Sequence, residues 1–165
     1  MKDHDMFSVG SWVVYPSHGV GKLDGIEEFE VAGETIKFFI ISFQKTNLTL
    51  KVPIKKALES GLRKILTHEQ MESALEVLSQ KSKKKRIMWS KRAQEYENKI
   101  NSGDPSSIAE VLRELYKEGG DALQSFSERQ IFQNAMDRLS RELAVLENID
   151  EESAVQKLEK ILQAA

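Results

Sequence analysis

The spacing of apolar residues changes near residue 66. Before that point, from Phe7 to Pro53, apolar residues fall in short β-branched and aromatic runs broken by glycine and proline, which predicts short strands. Ser11–Tyr15 (SWVVY) is the first, stopped by Pro16 and the turn-forming Ser17-His18-Gly19. Val20–Val31 is the second, with a bend at Gly25, because glycine inside a strand marks a bulge or corner. Ala32-Gly33-Glu34 connects it tightly to Ile36–Phe43, which is apolar on both faces and therefore expected inside the sheet. After Lys45-Thr46-Asn47, Leu48, Leu50 and Val52 alternate with Thr49 and Lys51 up to Pro53. Four or five short strands in about sixty residues suggest a small, strongly bent antiparallel barrel of the SH3 or Tudor sort. An open barrel keeps an edge, which is either blunted or available to a partner's strand.

Beyond residue 66 the apolar period becomes helical. Thr67 and Gln70 form a capping box ahead of Met71, Ala74, Leu75 and Leu78. Ala93, Tyr96 and Ile100 make a second stripe that stops at Asn101-Ser102-Gly103. Asp104 and Pro105 suit the cap and first position of a third helix, which buries Ile108, Val111, Leu112 and Leu115 and ends at Gly119-Gly120. Ser127 with Gln130 offers another capping box, with Phe126 stapled onto Ile131. Ala135, Leu139, Leu143 and Leu146 follow. Asp150 caps a last helix with Ala154, Val155, Leu158, Ile161 and Leu162. The expected fold class is thus α+β in two domains: a mobile tail over residues 1–5, a small SH3/Tudor-like barrel over 6–66, and an all-α bundle of about five helices over 67–165.

Charge alters this picture in one place. Lys81–Arg92 (KSKKKRIMWSKR) holds seven Lys or Arg and no acid, on a chain whose formal net charge is -2. Local charge of this kind is either a solvated linker or a phosphate-binding stretch. Trp89 lies within it, four residues before Ala93, seven before Tyr96 and eleven before Ile100, a spacing that places it on the core face of a helix. The competing reading is an exposed ring that stacks on a base or wedges at a parted duplex step, where stacking contributes roughly 1–3 kcal/mol per base.

Other chemistry finds little support. Gly19-Val20-Gly21 starts a phosphate-loop pattern, but Asp24 stands where its third glycine belongs. His4, His18 and His68 lack partners at ligand spacing, so no metal or cofactor is expected. No nucleophile is paired with a base, and an enzyme is not expected. The chain has no cysteine and no apolar run near 18 residues, and MKDHD is unlike a secretory signal. A cytoplasmic protein without membrane contact is expected.

Several motifs in series then carry a resemblance. Val9-Gly10, Val13-Val14-Tyr15-Pro16 and His18-Gly19 are followed by Leu48-Thr49 and Val52-Pro53, then by Trp89-Ser90 with Lys91-Arg92. Ser102-Gly103-Asp104, Ala109-Glu110-Val111 with Arg113, and Glu142-Leu143-Ala144 complete the series. Together they resemble the CarD/CdnL bacterial transcription regulators over about residues 6–165. The resemblance implies a Tudor-like domain that binds the RNA polymerase β subunit, through Lys51 with Thr49 and Phe29 beside it. Phe29 falls where some relatives carry a basic residue. It further implies a helical domain that contacts promoter DNA in the minor groove at the upstream edge of the melted bubble. There Trp89 would act as a wedge that holds the open promoter complex, and Lys91 and Arg92 would touch phosphate. Lys85 and Arg86 are added from charge alone. A σ factor is a further candidate partner, and a monomer is expected. Two other readings stay open: an RNA- or ribosome-associated SH3-like adaptor, and a protein scaffold whose basic run meets an acidic partner.

Overall fold

The computed structural model describes residues 7–81, 88–116 and 125–164. The chain divides into two compact units, Met1–Ile65 and Leu66–Ala165.

The first unit is a five-stranded antiparallel sheet. Its strands are β1 (Trp12–Tyr15), β2 (Gly19–Val31), β3 (Glu34–Phe43), β4 (Leu48–Pro53) and β5 (Arg63–Lys64), with a one-turn helix α1 (Ile54–Ala57) after β4. The order across the sheet is β4-β3-β2-β1-β5. β4 and β5 are therefore edges, and the sheet does not close into the expected barrel. β3 lies inside it, as its two apolar faces require. The β2–β3 hairpin turns through Ala32 and Gly33, both at positive φ (53° and 83°), the backbone a two-residue hairpin loop with right-handed twist demands. The bend comes where the β2–β3 register shifts between Leu23 and Gly25, an extra residue that increases local twist.

One face of this sheet holds the core: Val13, Leu23, Phe39, Ile41, Phe43 and Val52, closed by Phe7, Ile54, Ala57 and Leu62. Gly21 pairs with Val13 in this layer. A Cβ there would lie 2.7 Å from Phe43 Cε1 and 2.8 Å from Ile41 Cγ2. Its glycine is explained by ring packing rather than by a phosphate loop. α1 and β5 have no sequence signature of their own; the short β5 exists through its pairing with β1.

The second unit contains, among the described residues, five helices: α2 (His68–Leu78), α3 (Trp89–Asn101), α4 (Pro105–Leu115), α5 (Phe126–Glu147) and α6 (Glu151–Ala164). Thr67 and Gln70 form the reciprocal capping box at the start of α2. Asp104 and Pro105 open α4, and Asp150 Oδ1 accepts from Ser153 N at 2.7 Å to start α6. α5 departs from expectation. Its N-cap is Ser125, whose hydroxyl accepts from Glu128 N at 3.1 Å. Phe126 becomes the first helical residue, 72% exposed, while Ile131 is buried, so the expected staple does not form. Gly119-Gly120 lies outside the described residues, and α4 ends at Leu115 with Tyr116 turning extended.

Apolar stripes from all five helices build one core around Leu78, Tyr96, Ile100, Leu112, Leu139, Leu143 and Leu158. Two buried polar groups serve it. Glu142, 3% exposed on α5, accepts the N–H of Leu66 at 2.9 Å, fixing the chain just before α2. Arg113, buried on α4, donates to Gln80 Oε1 at 3.0 Å and to Glu114 Oε1 at 3.3 Å. It thereby holds the segment that follows α2.

Candidate nucleic-acid interface and docking face

α3 begins abruptly. Its N-cap is Met88, which has no capping side chain, and no acidic residue occupies the first turn. The Met88 carbonyl accepts from Lys91 N at 3.1 Å and Arg92 N at 3.0 Å. Helix starts favour anions and disfavour cations by a few tenths of a kcal/mol to about 1 kcal/mol. Lys91 and Arg92 are therefore placed where an isolated helix would not want them, but where a phosphate group would.

Trp89 heads this turn. Its side chain is partly buried and packs against the helical core, with its ring tilted against that of Tyr96 at 6.3 Å. The Arg92 guanidinium carbon lies 5.5 Å from the Trp89 ring and 5.6 Å from the Tyr96 ring, and Nη2 donates to Tyr96 Oη at 3.1 Å. Residues 89, 92 and 96 recur at i, i+3 and i+7, so one helix face sets a cation beside two neighbouring aromatic rings. Lys91 is exposed. Of the five residues expected on the nucleic-acid side, Trp89 and Arg92 are in mutual contact and Lys91 is beside them. Lys85 and Arg86 lie outside the described residues. The contact of Arg92 with both rings lies outside the sequence expectations, although the i, i+3, i+4 and i+7 spacing is visible in the sequence.

The residues expected at the docking face also come together. Strand alternation directs Phe39, Ile41 and Phe43 to the core, so Phe38 and Ile40 take the opposite face. Register places Phe29 across from Ile36, Lys51 across from Ile40, and Thr49 across from Ser42. Phe29, Thr49 and Lys51 therefore share the outer face of β2–β4. Phe29 and Phe38 meet edge to face at 5.5 Å, and Lys51 Nζ lies 4.4 Å from the Phe29 ring centre. The exposed cation is thus seated on an aromatic pair, on the side of the sheet away from its core.

No group of three or more potential metal-ligating side chains occurs among the described residues. No described helix is long and apolar enough to cross a membrane.

A β-sheet unit with a cation-on-aromatic outer face is followed by a helical unit headed by a Trp-Arg-Tyr cluster. Comparison with known proteins makes this specific. Residues 7–66 match the CarD-like/TRCF RID domain, and residues 73–159 match the C-terminal domain of CarD. The chain belongs to the CarD family and is a transcription regulator. It is 29% identical over 146 residues to YdeB of Bacillus subtilis (strain 168), covering 88% of this chain and 95% of YdeB.

Proposed function

We propose that the chain docks on the RNA polymerase β subunit through the outer face of β2–β4 and stabilises the open promoter complex through the head of α3. The observation that carries this reading is the first turn of α3. It combines an aromatic ring, two cations and an uncapped helix start, an arrangement unfavourable in isolation and favourable against the phosphates of a parted duplex. Lys91 and Arg92 neutralise phosphate, joined by Lys85 and Arg86 from the preceding basic stretch. Trp89 presents apolar surface at the upstream edge of the bubble. Lys51, Phe29 and Thr49 supply the polymerase contact, and docking raises the local concentration of DNA enough for individually weak contacts to act. A bubble edge needs recognition of shape rather than of base sequence, which suits a site with no recognition helix for the major groove.

Two measurements test this. Tagged protein from cell extract is expected to retain RNA polymerase, to lose it in Lys51→Glu, and to keep it in Lys160→Glu, an equal charge change at an exposed position of α6. Open-complex lifetime under competitor challenge is expected to fall in Lys91→Ala. If four cations engage, the salt slope is about -3.6, and Lys91→Ala lowers its magnitude by about 0.9. Retention of polymerase by Lys51→Glu at the wild-type level would defeat the docking assignment. Capture of structured RNA without polymerase would select an RNA adaptor instead.

A further inference from the structure

We infer that the docking face extends beyond Lys51 to a second cation, Lys22 seated on Trp12, and that it takes a protein segment carrying at least two carboxylates; this rests on the polymerase docking proposed above. Register carries the placement. Trp12 pairs with Lys22, Lys22 with Ser42, and Ser42 with Thr49, a single row across β1, β2, β3 and β4. Phe39, Ile41 and Phe43 occupy the core side, so Ser42 and its row lie on the outer face with Phe29 and Lys51. Lys22 Nζ lies 5.6 Å from the Trp12 ring centre, repeating the arrangement of Lys51 on Phe29. The two lysines stand two strands apart and one same-face step apart along them, roughly 12 Å between Cα atoms.

On the core side of the same hairpin, Lys37 has a carboxylate partner, Glu28, at 3.8 Å. Among the described residues, neither Lys22 nor Lys51 has one. An aromatic ring holds an ammonium in place without neutralising it, so both charges remain available to an anion. That anion is protein rather than nucleic acid. Glu27 pairs with Phe38, and Glu34 with Val31, which places both exposed carboxylates on this outer face, toward the hairpin end. A phosphate chain laid along the face would be repelled there, whereas a peptide can end its acidic run before reaching them. The face is cationic at Lys22 and Lys51 and anionic at Glu27 and Glu34, which fixes the direction in which a charge-segregated segment lies on it.

The test is equilibrium binding of the full-length protein to purified RNA polymerase at several salt concentrations, and to promoter DNA alone. The variants are Lys22→Met, Lys22→Arg, Lys51→Glu and Lys37→Met, each with its melting curve. Lys22→Met keeps an apolar chain on Trp12 and removes the charge. It is expected to bind polymerase about tenfold more weakly, equivalent to ~1.4 kcal/mol, with a shallower salt dependence and unchanged melting. Lys22→Arg, which keeps both charge and ring contact, is expected to bind as wild type does, as is Lys37→Met on the opposite face. Wild-type binding by Lys22→Met, with loss in Lys51→Glu, would overturn the second cation and leave the docking reading standing. Wild-type binding by both would overturn the two together. Lower melting in Lys22→Met would mean that the pair serves the sheet rather than a partner. Weaker binding of that variant to DNA alone would mean that phosphate is the anion. Either result would also overturn the inference.

Discussion

Gly21→Ala offers a measurable test of the sheet core. The added Cβ would lie 2.7 Å and 2.9 Å from Phe43 Cε1 and Cδ1 and 2.8 Å from Ile41 Cγ2, inside any normal carbon–carbon contact. Phe43 and Ile41 are almost fully buried, so neither can yield without displacing its neighbours. Overpacking of this kind costs about 1–3 kcal/mol. Gly25→Ala is the matched control, since a Cβ added there would meet nothing within 4 Å and its loss of unfolded-chain freedom favours folding by roughly 0.4–1 kcal/mol. The two variants carry the same chemical change, four residues apart on β2, with opposite expected signs. For a domain of this size, ~2 kcal/mol lowers the melting temperature by roughly 8–16 °C. The tryptophans make the assay selective, since Trp12 is on β1 and Trp89 on α3. In a Trp89→Phe background, urea unfolding followed by Trp12 fluorescence reports the sheet unit. Equal midpoints for Gly21→Ala and Gly25→Ala would refute the packing argument.

Two further predictions concern the helical unit. The Asp150 carboxyl is held below its ordinary value of 3.8, first by the Ser153 hydroxyl and then by the Ser153 backbone N–H. A lowered carboxylate stabilises the folded state above its unfolded value and ceases to do so as pH falls through the folded one. The melting-temperature advantage of wild type over Asp150→Asn is therefore expected above pH 3.8 and should shrink as pH falls below it; an advantage that does not change on acidification would count against it. Glu142→Ala leaves the Leu66 N–H without its acceptor and is expected to lower helical-unit stability by about 1–3 kcal/mol, seen by far-UV melting. Glu142→Gln, which keeps an acceptor oxygen, is expected to recover much of this, and equal losses would mean that charge rather than the bond matters.

The fold was most readable where the relevant physics is local. Thr67 with Gln70, Asp104 with Pro105 and the alternation of Leu48, Leu50 and Val52 each depend on residues a few positions apart. Where local alternatives compete, the sequence was ambiguous: Ser125 with Glu128 and Ser127 with Gln130 both fit a helix start, and the former wins. β5 has no pattern because two residues cannot show a period, and its existence depends on β1. Closure of a barrel is set by long-range strand geometry, so the open order with β4 and β5 at its edges could not be read from short runs. At α3, periodicity directed Trp89 inward and the resemblance directed it outward. The partly buried ring under Arg92 lies between these readings.

Each unit has its own core. Buried apolar residues of the first run from Phe7 to Leu62, those of the second from Met71 to Leu162, and none belongs to both. Such a chain need not unfold in one step. On the docking proposed above, a molecule whose helices have melted while its sheet persists still occupies polymerase and brings nothing to the DNA. It becomes a competitor of the intact protein. Damage confined to the second unit would then be dominant when the altered chain is in excess, whereas damage to the first would be recessive.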